Sequence, residues 1–130
     1  MAQLLELVRG FAERYTAAWC SQDPGQVAEH FAPDGSLTVN GGAPAVGHAA
    51  IRDVAASFMT AFPDLQVLLD RLAARGQRIE YHWTLVGTYA ATGKPVRISG
   101  CELWRFGEDG RIAESQGQFD AAEYERQIGV

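Results

Sequence analysis

Glu102 stands on the apolar face of a segment that alternates with period two, and a carboxyl group so placed can move protons. From Val96 to Phe106, one face collects Val96, Ile98, Gly100, Glu102, Trp104 and Phe106. The other collects Arg97, Ser99, Cys101, Leu103 and Arg105, the alternation of a half-buried β-strand. With the first face inward, the carboxylate loses water and gains no cation, because Arg97 and Arg105 belong to the opposite face. Such burial disfavours the charged form and predicts a raised pKa, toward the range where glutamates serve near neutrality. Tyr15 lies on the apolar stripe of the first helix, one turn before Trp19. There its hydroxyl is a hydrogen-bond donor at a pocket wall. His82 is the histidine best placed for a general base or an orienter. Its strand offers two faces: Ile79, Tyr81, Trp83 and Leu85 on one, and Glu80, His82, Thr84 and Val86 on the other. Apolar content alone turns the Tyr81 face inward.

The remaining reactive side chains invite blander readings. His30 ends a short helix, where its charge suits the helix dipole, and His48 opens another helix beside Gly47 in a cap or loop role. Cys20 and Cys101 are far apart, have no metal-ligand spacing and read as free thiols. Neither an HxH nor an HxxxH pair is present, so no metal is expected. The Gly41-Gly42-Ala43-Pro44 loop lacks the surroundings of a phosphate cradle and reads as a rim over a cavity.

These residues need elements to hold them. Leu4, Val8, Phe11, Tyr15, Ala18 and Trp19 recur at spacings of three and four, which predicts an amphipathic helix from about Ala2 to Ser21. Asp23-Pro24 reads as a cap and first turn of a short helix carrying Val27 and Phe31. Ser36–Val39 is a brief strand ended by Asn40-Gly41-Gly42. Ile51, Val54, Ala55, Phe58 and Phe62 form a third helical stripe, closed at Pro63. Four strands follow, at 65–72, 78–89, 96–106 and 111–119, joined by short turns into an antiparallel meander. Asp120 then caps a terminal helix. Helices first and strands after define an α+β fold, with helices stacked on a curved sheet around a conical cavity.

The chain has 130 residues, 47% of them hydrophobic and 21% charged, which suits one globular domain over 1–130. A net charge of −5 with no Lys/Arg cluster argues against a nucleic-acid partner. No apolar stretch approaches the ~20 residues of a membrane span, and Glu6 and Arg9 interrupt the first apolar pattern, so a helix and a cytoplasmic location are expected rather than a signal peptide.

Phe31-Ala32-Pro33-Asp34-Gly35, Gly47-His48-Ala49-Ala50-Ile51 and Glu102-Leu103-Trp104-Arg105-Phe106, followed by Glu108-Asp109-Gly110-Arg111-Ile112, occur in an order and spacing that resemble the nuclear-transport-factor-2-like superfamily. This is the cone-shaped fold of ketosteroid isomerase and the SnoaL-like polyketide cyclases, and the ending from Phe119-Asp120 to Gly129 is similar to the cyclase branch. The resemblance places Glu102 where the isomerases keep the protonated acid of their oxyanion hole, and Tyr15 where they keep its tyrosine. It also favours the His82 face toward the cavity, His82 and Thr84 being nearest to an arginine and aspartate of limonene-epoxide hydrolases. The isomerases' base aspartate falls on Val39, next to Asn40, and the cyclases' aspartate on Gly117. The chain therefore departs from both patterns.

The implied activity is cofactor-independent acid–base chemistry on a small apolar carbonyl compound. Glu102 and Tyr15 would polarise the carbonyl and His82 would move the proton. Trp19, Asn40, Phe58, Phe62, Thr84, Trp104, Ser115 and Phe119 are the expected binding residues. The alternative is a binding or assembly module that has kept the cavity and lost the chemistry. A homodimer is expected through the sheet, covering Tyr81, Trp83 and Leu85 if that face lies outward, with Leu103 and Cys101 on the next strand.

Overall fold

The structure, a computed structural model, describes residues 2–129. Helix α1 (Ala2–Cys20) is amphipathic: Val8, Ala12, Tyr15, Ala18 and Trp19 are buried, and the helix packs on the sheet. Asp23 caps α2 (Pro24–Ala28) by accepting from Gly25 N at 3.0 Å. Helix α3 (His48–Ala61) buries Ile51, Ala55 and Met59. Helix α4 (Ala121–Ile128) is capped by Asp120 and closed by Gly129 in the left-handed conformation that glycine adopts freely.

Six strands form one sheet in the order β2-β1-β6-β5-β4-β3. They are β1 (Phe31–Val39), β2 (Ala45–Val46), β3 (Gln66–Arg75), β4 (Arg78–Tyr89), β5 (Lys94–Phe106) and β6 (Ile112–Phe119). β3 to β6 are the expected antiparallel meander. β1 closes the other side by pairing parallel to β6, with Leu37 opposite Ser115 and Val39 opposite Gly117. The fold is thus the mixed α+β cone that the pattern predicts. Phe31 departs from its expected place in the second helix. It opens β1 opposite Ile112 and is wholly buried, so tertiary burial overrides the helical spacing.

β4 decides the polarity of the cone. Tyr81 and Leu85 are buried and Trp83 half-buried on the inner face, whereas Glu80 and His82 lie outward, half-exposed. This corrects the resemblance-based expectation for His82 and Thr84. One residue of strand register separates the two choices, and enclosing two aromatics and a leucine outweighs enclosing an imidazole and a glutamate. The same parity places Tyr81, Trp83 and Leu85, three of the residues expected at a dimer contact, inside the cone, whereas Cys101 and Leu103 of β5 stay on the outer face. The outer face also carries polar pairs, including Arg78–Glu114 at 2.8 Å and His82–Glu80 at 2.9 Å.

Candidate functional site

Strand parity on β5 turns Glu102 inward as the sequence predicts, and burial leaves its residue 7% exposed. Three side chains from three elements converge on one carboxylate oxygen. Oε1 accepts from Ser115 Oγ of β6 at 2.7 Å, from Tyr15 Oη of α1 at 2.9 Å and from Trp104 Nε1 of β5 at 3.0 Å. Oε2 keeps a single, longer contact of 3.2 Å from the same Tyr15 hydroxyl. Oε1 is therefore saturated, and Oε2 carries the valence available for a proton.

The electrostatics follow from this arrangement. Desolvation raises the Glu102 pKa, and the hydrogen bonds from Trp104, Ser115 and Tyr15 pull against it without cancelling it. Burial, reinforced by the nearby Glu102 carboxylate, pushes the Tyr15 phenol well above its ordinary value and keeps it a donor. Removing a donor removes one of the opposing influences. Tyr15→Phe and Ser115→Ala are each expected to raise the Glu102 pKa further, and the pair together more than either. A carbon-13 titration of the Glu102 side-chain carboxyl reads this directly; unchanged midpoints would remove the hydrogen bonds as the cause.

Glu102 lines a cavity between the sheet and the helices, with about 640 Å³ of space between atoms, its open mouth included. Leu37 and Val39 of β1, Val54 and Phe58 of α3, Trp19 of α1 and Phe119 with Tyr124 near the C-terminus supply walls; Tyr81, Trp83 and Leu85 supply part of the floor. Tyr81 stacks on Trp104 with ring centroids 4.7 Å apart, and its hydroxyl pairs with Thr16 Oγ1 at 2.6 Å, which ties it away from a ligand. Gly117 faces Glu102 across the β5–β6 ladder; a Cβ there would sit 3.6 Å from Glu102 Cγ, so the glycine keeps space open beside the carboxyl.

Of the expected site residues, Glu102, Trp19, Phe58 and Phe119 line the cavity. Tyr15, Trp104 and Ser115 lie behind Glu102 and reach it by hydrogen bonds rather than facing a ligand. His82 is outside, with Nε2 on Glu80 Oε1 at 2.9 Å. Thr84 is also on the outer side, where it donates to Asp70 Oδ2 at 2.6 Å. Phe62 is fully buried against Tyr89 and Tyr124, away from the lining. Asn40 is exposed in a turn with φ of 51°, its Oδ1 accepting from Phe119 N. Trp83, Tyr81 and Leu85 line the cavity without belonging to the expected set, although the apolar parity of β4 marks their face in the sequence. Among the described residues no group of three His, Cys, Asp or Glu side chains is placed to hold a metal ion.

Helices packed over a six-stranded sheet are the fold of the nuclear-transport-factor-2-like proteins. The chain belongs to the SnoaL-like domain family, which matches residues 12–115. No curated protein matches the sequence. Among solved structures, a protein with a ketosteroid isomerase-like fold from Catenulispora acidiphila DSM 44928, in complex with trimethylamine, is 19% identical with a TM-score of 0.81 and covers 91% of both chains. A protein from Xanthomonas campestris pv. campestris, described as a suspected polyketide cyclase, is 18% identical with a TM-score of 0.79, over 96% of this chain and 98% of that one. An NTF2-like protein of unknown function from Burkholderia pseudomallei K96243 is 23% identical with a TM-score of 0.78, over 91% of this chain and 94% of that one. At these identities the likeness is one of fold.

Proposed function

We propose that the protein is a cofactor-independent enzyme that enolises a small, apolar, carbonyl-bearing compound, with Glu102 as the group that moves the proton. The observation that carries this reading is the asymmetric cradle around Glu102. Three donors fix and saturate Oε1 while Oε2 is left with one long contact, at the floor of an apolar cavity. A carboxylate buried for packing alone would be satisfied on both oxygens or replaced by an apolar side chain. A raised pKa also suits a base that works near neutrality.

With His82 outside the cone, Glu102 takes over the proton transfer. Its carboxylate removes a proton from a carbon next to the carbonyl: the C–H bond breaks, the electron pair moves onto the carbonyl oxygen, and the proton rests on Oε2. Returning it to the same carbon gives exchange; returning it to a conjugated carbon gives isomerisation. Tyr15 acts through Glu102 as a positioning residue. The test is nuclear magnetic resonance of a panel of cyclic enones and aryl ketones in deuterium oxide. Protein-dependent deuterium uptake next to the carbonyl is expected for at least one member. Uptake that is equal in wild type and Glu102→Gln would overturn the assignment.

A binding module is the second reading, and one observation favours it. Glu102 is the sole carboxyl group among the described cavity-lining residues, so a second acid or base must come from elsewhere or be unnecessary. Tight binding of aryl ketones with no exchange in any of them would support that reading instead.

A further inference from the structure

Trp83 lines the cavity, yet its Nε1–H is out of solvent and meets no acceptor among the described residues. Trp104 shows the contrast, since its Nε1–H ends on Glu102. A buried N–H left without a partner is destabilising, and phenylalanine would wall an apolar cavity without that cost. The indole is also held in place. Gly100 lies directly opposite Trp83 in the β4–β5 register, and a Cβ at Gly100 would run into the six-membered ring. Phe119 meets the indole edge to face, with centroids 6.0 Å apart.

The register relates this donor to Glu102. Tyr81 pairs with Glu102 and Trp83 with Gly100, so Trp83 and Glu102 are diagonal neighbours on one face of adjacent strands. The backbone positions of such neighbours are about 7–8 Å apart, within reach of each other's long side chains, so one small ligand can meet both. We infer that Trp83 Nε1–H is the hydrogen-bond donor to the ligand's carbonyl oxygen, holding the reacting carbon over Glu102 Oε2. The ligand class is then a neutral cyclic ketone with its carbonyl beside a ring or double bond. During enolisation the indole keeps its proton. Its hydrogen bond strengthens as charge collects on the oxygen, which is the property of a transition-state donor. The inference rests on the enolisation reading for its role in rate, but the contact itself can be measured independently.

The experiment uses the nitrogen-15-labelled full chain, with the Trp83 Nε1–H resonance assigned by its loss in Trp83→Phe. Two probes share a skeleton and differ in the carbonyl: 1-tetralone and tetralin. The expected result is a downfield shift of the Trp83 N–H proton with 1-tetralone and none with tetralin. Where 1-tetralone exchanges deuterium, Trp83→Phe is expected to slow the maximal rate about 100-fold, the lower end for loss of one oxyanion donor. Identical responses to both probes, or no response to either, overturn the inference, as does an exchange rate unchanged in Trp83→Phe. If the N–H shifts but wild type exchanges no ketone, the contact stands and the enolisation reading fails. If the variant does not fold, the wild-type response to the two probes still decides the contact.

Discussion

Glu102→Gln is expected to abolish ketone exchange, by roughly 10²–10⁴-fold, while leaving the fold and the affinity for 1-tetralone intact. Glutamine is the isostere of the protonated acid. Its Oε1 can accept the same three hydrogen bonds from Ser115, Tyr15 and Trp104, and its Nε2 takes the place of Oε2. The amide cannot accept a proton at accessible pH, so chemistry is lost and binding remains. Affinity from calorimetry and exchange from deuterium uptake separate the two. A variant that loses both in proportion would make Glu102 a binding or structural group.

The same substitution has a pH signature in stability. Glu102 has a raised pKa in the folded protein, with desolvation as the main cause. Its protonated form is therefore the one the fold favours. The associated stability is fully present below the ordinary glutamate value of 4.5 and is lost as pH rises through the raised, folded value. Glutamine has nothing to ionise. Chemical denaturation across that window should find wild type weakening with pH relative to Glu102→Gln, and the gap levelling off once Glu102 is ionised in both folded and unfolded protein.

Parity makes Glu102 legible in the sequence, because a single strand carries both its alternation and its misfit residue. The meander is equally legible, since Ala74-Arg75-Gly76, Thr92-Gly93-Lys94 and Glu108-Asp109-Gly110 punctuate it and β4 spans the expected 78–89. Relations between elements are harder to read. The parallel pairing of β1 with β6 joins residues about 80 positions apart, such as Leu37 with Ser115, and no local pattern encodes it. Register borrowed from distant relatives draws His82 to the site, where an offset of one residue reverses the face. The apolar content of Tyr81, Trp83 and Leu85 gives the better answer. The cradle is half visible: Tyr15 and Ser115 can be placed near a cavity, but convergence of both with Trp104 on one oxygen depends on how α1 packs on the sheet. Trp83 carries a plain signal as a large aromatic on the inner face, and its unpartnered N–H emerges only from the packing.

Gly100→Ala is expected to destabilise the protein by about 1–3 kcal/mol, the usual range for overpacking a filled site, and to impair the cavity as well. The added Cβ would lie 2.6 Å from the Gln118 carbonyl oxygen and 2.8 Å from Trp83 Cη2, closer still to the neighbouring ring carbon Cζ2. The carbonyl belongs to the backbone of β6 and cannot swing aside without disturbing the β5–β6 ladder, where Cys101 pairs with Gln118. The indole has the cavity on one side and Phe119 at a centroid distance of 6.0 Å. Relief of the clash therefore displaces the proposed carbonyl donor. Urea unfolding should show a lower midpoint with an unchanged slope, and the Trp83 N–H should lose its selective response to 1-tetralone even below the unfolding transition. Gly117→Ala is the internal control: its Cβ would meet Thr38 O at 3.5 Å and Glu102 Cγ at 3.6 Å, ordinary contact distances, so stability should hold. Equal stability of wild type and Gly100→Ala would mean the sheet yields there, and the indole is not clamped as described.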